Sequence, residues 1–141
     1  MVPSFDIEKL HLVPERMSTF SNIFAYFKTK LCINLMTIEL ARRLQGTGVT
    51  VNCVHPGAVS TNLVDEIDIT PLKLMLKINF MFFRSPWEGA QTVNYLAVSP
   101  EVENCSGGYY VECKLGNPSG RAQNVELAQK FWEATERLIR R

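Results

Sequence analysis

Residues 26–57 read YFKTKLCINLMTIELARRLQGTGVTVNCVHPG. Tyr26, Lys30, Leu31, Leu35, Ile38, Leu40 and Leu44 recur at threes and fours, which predicts a long helix. Ser18 to Ser21 offer N-caps before it. Arg42 and Arg43 suit the negative end of its dipole, and Gly46 and Gly48 stop it near Gln45. Val49 to Val54 is short, apolar at most positions and rich in β-branched residues, as expected of a buried strand in a parallel sheet. His55-Pro56-Gly57 closes it. Helix, tight turn, buried strand and Pro-Gly exit make one step of an α/β architecture.

Residues 1–20, with Pro3 and Pro14, read as an irregular lead-in. Beyond residue 61 comes a connecting region rich in Leu, Met and Phe. Ser85-Pro86-Trp87-Glu88 is then a strong helix start, with Ser85 as cap, Pro86 in the first turn and Glu88 three residues after the cap. This helix should run to about Val98 and stop at Pro100. Tyr109 to Cys113 reads as a second short strand and Gly116 to Gly120 as a loop. Val125 to Arg140 reads as an amphipathic helix with Leu127, Phe131, Trp132, Thr135, Leu138 and Ile139 as its apolar set. The order corresponds to the C-terminal half of a Rossmann-like, doubly wound parallel sheet. Two parallel strands are few for a stable sheet, so the fold reads as incomplete.

Composition narrows the function classes. The 141 residues suffice for a single domain. With 46% hydrophobic and 21% charged residues the chain is globular rather than disordered. A net charge of +1 provides no field for nucleic acid, and none is expected as a partner. Cys32, Cys53, Cys105 and Cys113 form no CxxC pair and have no histidine at ligand spacing, so no metal is expected. Cys32 and Cys53 read as small buried hydrophobes in a reducing compartment. No run of about 18 apolar residues is present, and no signal stretch or transmembrane helix is seen.

The candidate chemistry lies on the first helix. Tyr26 and Lys30 are four residues apart and so share a face. A phenol, with a reference pKa of about 10, is a poor acid–base group at neutral pH. A fixed cation beside it favours the phenolate. Such a pair can give a proton to a carbonyl oxygen or take one from an alcohol while hydride moves on carbon. Taken alone, the same spacing also arises by accident on a solvated helix.

The residues after the pair make it specific. A YxxxK helix, a glycine-punctuated turn and a strand ending in PGxxxT resemble the short-chain dehydrogenase/reductase family. Tyr26 and Lys30 match the first motif, and Pro56, Gly57 and Thr61 match the last. Residues 39–52 (ELARRLQGTGVTVN) and 105–114 (CSGGYYVECK), with Trp132-Glu133 beyond them, are similar to the retinol dehydrogenase branch. The resemblance extends from Phe5 onward. It implies a single partial domain over 1–141: lead-in 1–20, catalytic helix, strand and Pro-Gly turn 21–61, substrate-loop region 62–86, and C-terminal helices with the last strand 87–141.

By that resemblance Tyr26 is the general acid/base, and Lys30 assists it and bonds the nicotinamide ribose. Pro56-Gly57 brings backbone close to the nicotinamide. Val59 binds the carboxamide through its main chain, and Thr61 contacts the carboxamide or pyrophosphate. The implied cofactor is NADP or NAD, and the implied substrate a lipophilic alcohol or aldehyde of the retinol/retinal kind. The family's glycine-rich TGxxxGxG turn is missing from the sequence, as are its Asn-Asn-Ala-Gly-like turn and catalytic serine. These 141 residues alone are therefore expected to bind the cofactor weakly or not at all, and to be inactive.

Two alternatives come from other classes. One is a non-catalytic module that pairs with a full-length homologue, or dimerises, through the Ser21–Gln45 helix. The other is a peripheral membrane protein using residues 71–83, where Leu72, Leu74, Met75, Leu76, Ile78, Phe80, Met81, Phe82 and Phe83 could equally line a substrate pocket or pack as core. The expected location is the cytoplasmic side, in association with endoplasmic reticulum or mitochondrial membranes. His55 reads as a backbone-positioning residue with cofactor contact as the alternative, and Trp132 as a core anchor.

Overall fold

A computed structural model describes residues 19–60 and 83–140, with side chains from residue 24 in the first of these spans. In chain order the elements are α1 (Thr19–Arg43), β1 (Cys53–His55), α2 (Pro86–Val98), a 3-10 turn (Pro100–Val102), β2 (Tyr109–Val111), β3 (Lys114–Leu115), a second 3-10 turn (Gly120–Gln123) and α3 (Val125–Ile139). The strands form one sheet in the order β1-β2-β3. Beside β1, Gly107 N–H donates to the Val51 carbonyl and Cys53 N–H to that of Gly108. Numbering rises together on the two sides, the parallel sense expected of a doubly wound sheet. β2 and β3 pair antiparallel, Tyr110 opposite Leu115 and Val111 opposite Lys114. Helices around a small mixed sheet make this part of a Rossmann-like α/β fold.

The chain divides into two compact units. The first comprises Met1–Cys53, Asn104–Tyr109 and Asn117–Arg141, and the second Val54–Glu103 and Tyr110–Gly116. β1 and β2 each begin in the first unit and continue in the second.

In the first unit α1 packs against α3. Leu35, Ala128 and Phe131 form the buried centre, and Leu31, Cys32, Ile38 and Leu127 pack around them. The amphipathic reading of α3 is corrected at its end: Ile139 is 79% exposed and Leu138 is also exposed, while Ala128 and Ala134 are buried. Asn124 caps α3, its side-chain oxygen accepting from Leu127 N–H at 2.8 Å. Gly46 and Gly48, at φ +82° and +79°, end α1 in the left-handed region that glycine favours.

The expected buried strand Val49–Val54 is shorter and less covered. Regular pairing begins only at Cys53, and Val49 is 55% exposed. Among the described residues only the β2 side of this strand is paired, and Val51 to Val54 are half-buried.

α1 also carries a buried acid at its C-terminal end. Glu39 is 0% exposed. Arg42 donates to it from Nε at 2.9 Å and from Nη2 at 2.7 Å, and Arg43 from Nε at 2.7 Å. Arg43 also lies over the Trp132 ring, 4.7 Å from its centroid. Trp132, expected as a core anchor, is half-buried and ties α3 to α1 through this cation–π contact.

In the second unit α2 begins as expected. The Ser85 hydroxyl accepts from Glu88 N–H, and the Glu88 carboxylate accepts from Ser85 N–H at 2.7 Å. The strand expected over Tyr109–Cys113 stops at Val111. Glu112 and Cys113 turn back at φ +54° and +58° to start β3. Two consecutive positive φ values define a tight hairpin turn normally built from Asn and Gly, so neither residue type signals it. Oγ1 of Thr92, a buried residue of α2, accepts from Cys113 N–H at 3.2 Å and holds the turn.

Gly89 is the tightest point of this unit. A Cβ there would stand 2.6 Å from Val59 Cγ2 and 3.3 Å from Cγ1. Valine is stiff at χ1 and cannot swing clear. Gly89→Ala should therefore cost about 1 kcal/mol even though alanine is the better helix former, and Val59→Ala in the same chain should return it. Urea midpoints of the single and double variants measure this.

Candidate active site

Tyr26 and Lys30 lie on the exposed side of α1, in the first unit. Lys30 Nζ stands 5.3 Å from the centre of the Tyr26 ring, so the four-residue spacing does bring phenol and ammonium together. Tyr26 is 56% exposed and has the Phe27 ring edge-on at 5.8 Å. The Tyr26 carbonyl accepts from Thr29 Oγ1 at 2.7 Å, and that of Lys30 from Asn34 Nδ2 at 3.3 Å. Asn34 Oδ1 in turn accepts from Cys53 Sγ at 2.9 Å. The pair is thus tied through α1 to the first residue of β1. Half-burial pushes the Cys53 and Cys32 thiols up from their ordinary range.

His55, Pro56, Gly57 and Val59 lie together in the second unit. Gly57 turns at φ +83°, and its N–H donates to His55 Nδ1 at 2.9 Å. This supports the positioning reading of His55. Val59 forms an isolated parallel bridge with Arg84: Arg84 N–H donates to Ala58 and Ser60 N–H to Arg84, both at 2.8 Å. A Cβ at Gly57 would meet Arg84 Cδ and Nε, each at 3.1 Å. Space beside this glycine is thus partly taken by Arg84, which no sequence motif marks. The Arg84 guanidinium donates to the Glu112 carboxylate.

Thr61 lies outside the described residues, as does the apolar run to residue 82 expected as pocket, membrane face or core. Among the described residues no group of three or more His, Cys, Asp or Glu side chains could hold a metal ion. No described helix is long and apolar enough to cross a membrane.

The fit to a nicotinamide can be judged from these features. In the second unit a Pro-Gly bend bearing no side chain at Gly57 presents main chain that a flat amide could approach; in the first unit Tyr26 presents an exposed phenol. Neither feature supplies a cradle for a pyrophosphate.

Residues 17–71 match the family described as short chain dehydrogenase. Retinol dehydrogenase 14 of Homo sapiens is 45% identical over 123 residues, which are 86% of this chain and 37% of that protein. Retinol dehydrogenase 12 of Homo sapiens is 40% identical over 120 residues, 85% of this chain and 37% of that protein. Retinol dehydrogenase 13 of Mus musculus is 36% identical over 128 residues, 88% of this chain and 38% of that protein. The chain spans less than two fifths of the length of these curated relatives.

Proposed function

We propose, from the premise that this chain carries the C-terminal portion of a short-chain dehydrogenase/reductase fold homologous to the retinol dehydrogenases, that its residues serve interconversion of an alcohol and a carbonyl on a lipophilic substrate of the retinol kind. The observation that supports this most is the Tyr26–Lys30 pair, 5.3 Å from ammonium to ring centre on one helix face. The Tyr26 hydroxyl would donate its proton to the substrate oxygen in reduction and receive it in oxidation. Lys30 would keep a positive charge beside that proton and hydrogen-bond the ribose of the cofactor. A bound NAD or NADP would supply or accept the hydride.

Pro56, Gly57, Val59 and Thr61 would line the nicotinamide side of the site by main chain and small side chains. Glycine at 57 is required there twice over, by its φ of +83° and by Arg84 alongside. The 141 residues contain no glycine-rich pyrophosphate turn, so turnover calls for that element from another segment. A second reading is favoured by Ile33 and Met36, which are exposed on α1: the chain pairs with a longer homologue through this helix and performs no chemistry itself.

A graft tests the first reading. The 123 matched residues replace their counterparts in human retinol dehydrogenase 14, and oxidation of retinol is followed with NAD and NADP. Turnover is the expected result. A graft that folds and binds cofactor but shows no turnover would overturn it and leave the pairing reading.

A further inference from the structure

We propose that Arg84 is a positioning residue for the Pro56–Gly57 bend, and that Glu112 holds it in place across the second unit. The inference rests on the reading of that bend as the nicotinamide side of the site.

The geometry is a closed circuit. The Arg84 main chain is fixed first, bridged to Ala58 and Ser60 on either side of Val59. From there its side chain runs back along Gly57, with Cδ and Nε 3.1 Å and Cζ 3.4 Å from where a Cβ would stand. The missing Cβ is therefore a seat for the arginine stem. The guanidinium ends on Glu112, in a turn that a non-glycine residue enters at φ +54°. Such a conformation persists only where its surroundings impose it. Here Cys113 N–H is held by buried Thr92 on α2, and the same helix offers Gly89 as the surface on which Val59 rests.

Each part fixes the next: Val59 on Gly89, Arg84 beside Val59, Gly57 under Arg84, Glu112 on Arg84, and the hairpin on α2. A guanidinium suits this because its long stem covers backbone while its head pairs with a carboxylate. The pair is partly solvated, at 36% and 60% exposure, so its energetic share is modest while its geometric role is specific.

Amide exchange by NMR on the 141-residue chain reads this without cofactor or turnover. Gly57 N–H, held by His55, reports the bend, and Ser60 N–H, held by the Arg84 carbonyl, reports the main-chain bridge. Arg84→Met and Glu112→Gln should each speed Gly57 exchange about fivefold, leaving Ser60 exchange and the melting midpoint unchanged. Arg84→Lys should recover part of the effect, and the reversed pair Arg84→Glu with Glu112→Arg more than either single change. Unchanged Gly57 exchange in both single variants would overturn the proposal. So would a rise shared by all amides of the unit, which marks a structural role alone. In the graft, Arg84→Met should raise the cofactor KM about fivefold at unchanged kcat. A graft without turnover would fail the functional reading and leave the exchange result standing.

Discussion

Tyr26→Phe in the graft should lower kcat by at least about a hundredfold, with the retinol KM little changed. The substitution removes one oxygen and nothing else. Tyr26 is more than half exposed, and among the described residues its ring meets Phe27 and the Lys30 ammonium. Phenylalanine keeps both, so α1 and its packing on α3 should melt as before. What disappears is the only hydroxyl of the pair, and with it the proton donor proposed for the substrate oxygen. A loss confined to kcat marks an interaction made in the transition state. Lys30→Met should fall in the same direction and raise the cofactor KM as well, because the ammonium is assigned both the proton and the ribose. A Tyr26→Phe graft that turns over at the parental rate would assign the proton to another group.

The second large effect concerns folding. Glu39→Gln should destabilise the chain by about 2 kcal/mol. The carboxylate is fully enclosed and receives three hydrogen bonds from Arg42 and Arg43. Glutamine keeps the shape, but its amide presents N–H where the arginines need an acceptor. The arginines themselves are 50% and 37% exposed, so water takes up part of the loss and holds the cost below that of a fully buried pair.

The same group gives the chain an acid dependence. Hydrogen bonding from Arg42, ahead of the opposing effect of burial, holds the Glu39 carboxyl at about 2 against its ordinary 4.5. The folded value lies below the unfolded one, so the contribution is complete above pH 4.5 and is lost as pH falls toward 2. Thermal midpoints across this window should fall further for the parent than for Glu39→Gln, and the gap between them should narrow as acid is added.

Much of this was legible in the amino acids. The α1 periodicity, its glycine stop and the Ser85-Pro86-Trp87-Glu88 start gave helices within a few residues of their observed ends, because those signals are local. The Tyr26–Lys30 pair was legible for the same reason: four residues on a helix fix which side chains meet. What escaped was set by partners distant in sequence. Glu39 reads as one more charge on a helix until the packed chain buries it. Glu112-Cys113 carries no turn residue, since its conformation is imposed by Thr92 on α2. Arg84 precedes a helix cap and draws no notice until the chain sets it beside Gly57. The Val49–Val54 strand was read as wholly buried from its composition, which registers what a segment would prefer and not which neighbours it meets.

The division of the chain into two compact units has a last consequence, for anyone cutting it. Their sequences are interleaved: the first takes up again at Asn104 and at Asn117, and the second at Tyr110. No single scission, exon boundary or truncation yields either unit intact. Removing residues 104–141 would strip a hairpin from one and a packed helix from the other. An engineered minimal version must therefore keep the whole span and vary its surface, and a proteolytic nick is better judged by whether the pieces remain together than by the sizes on a gel.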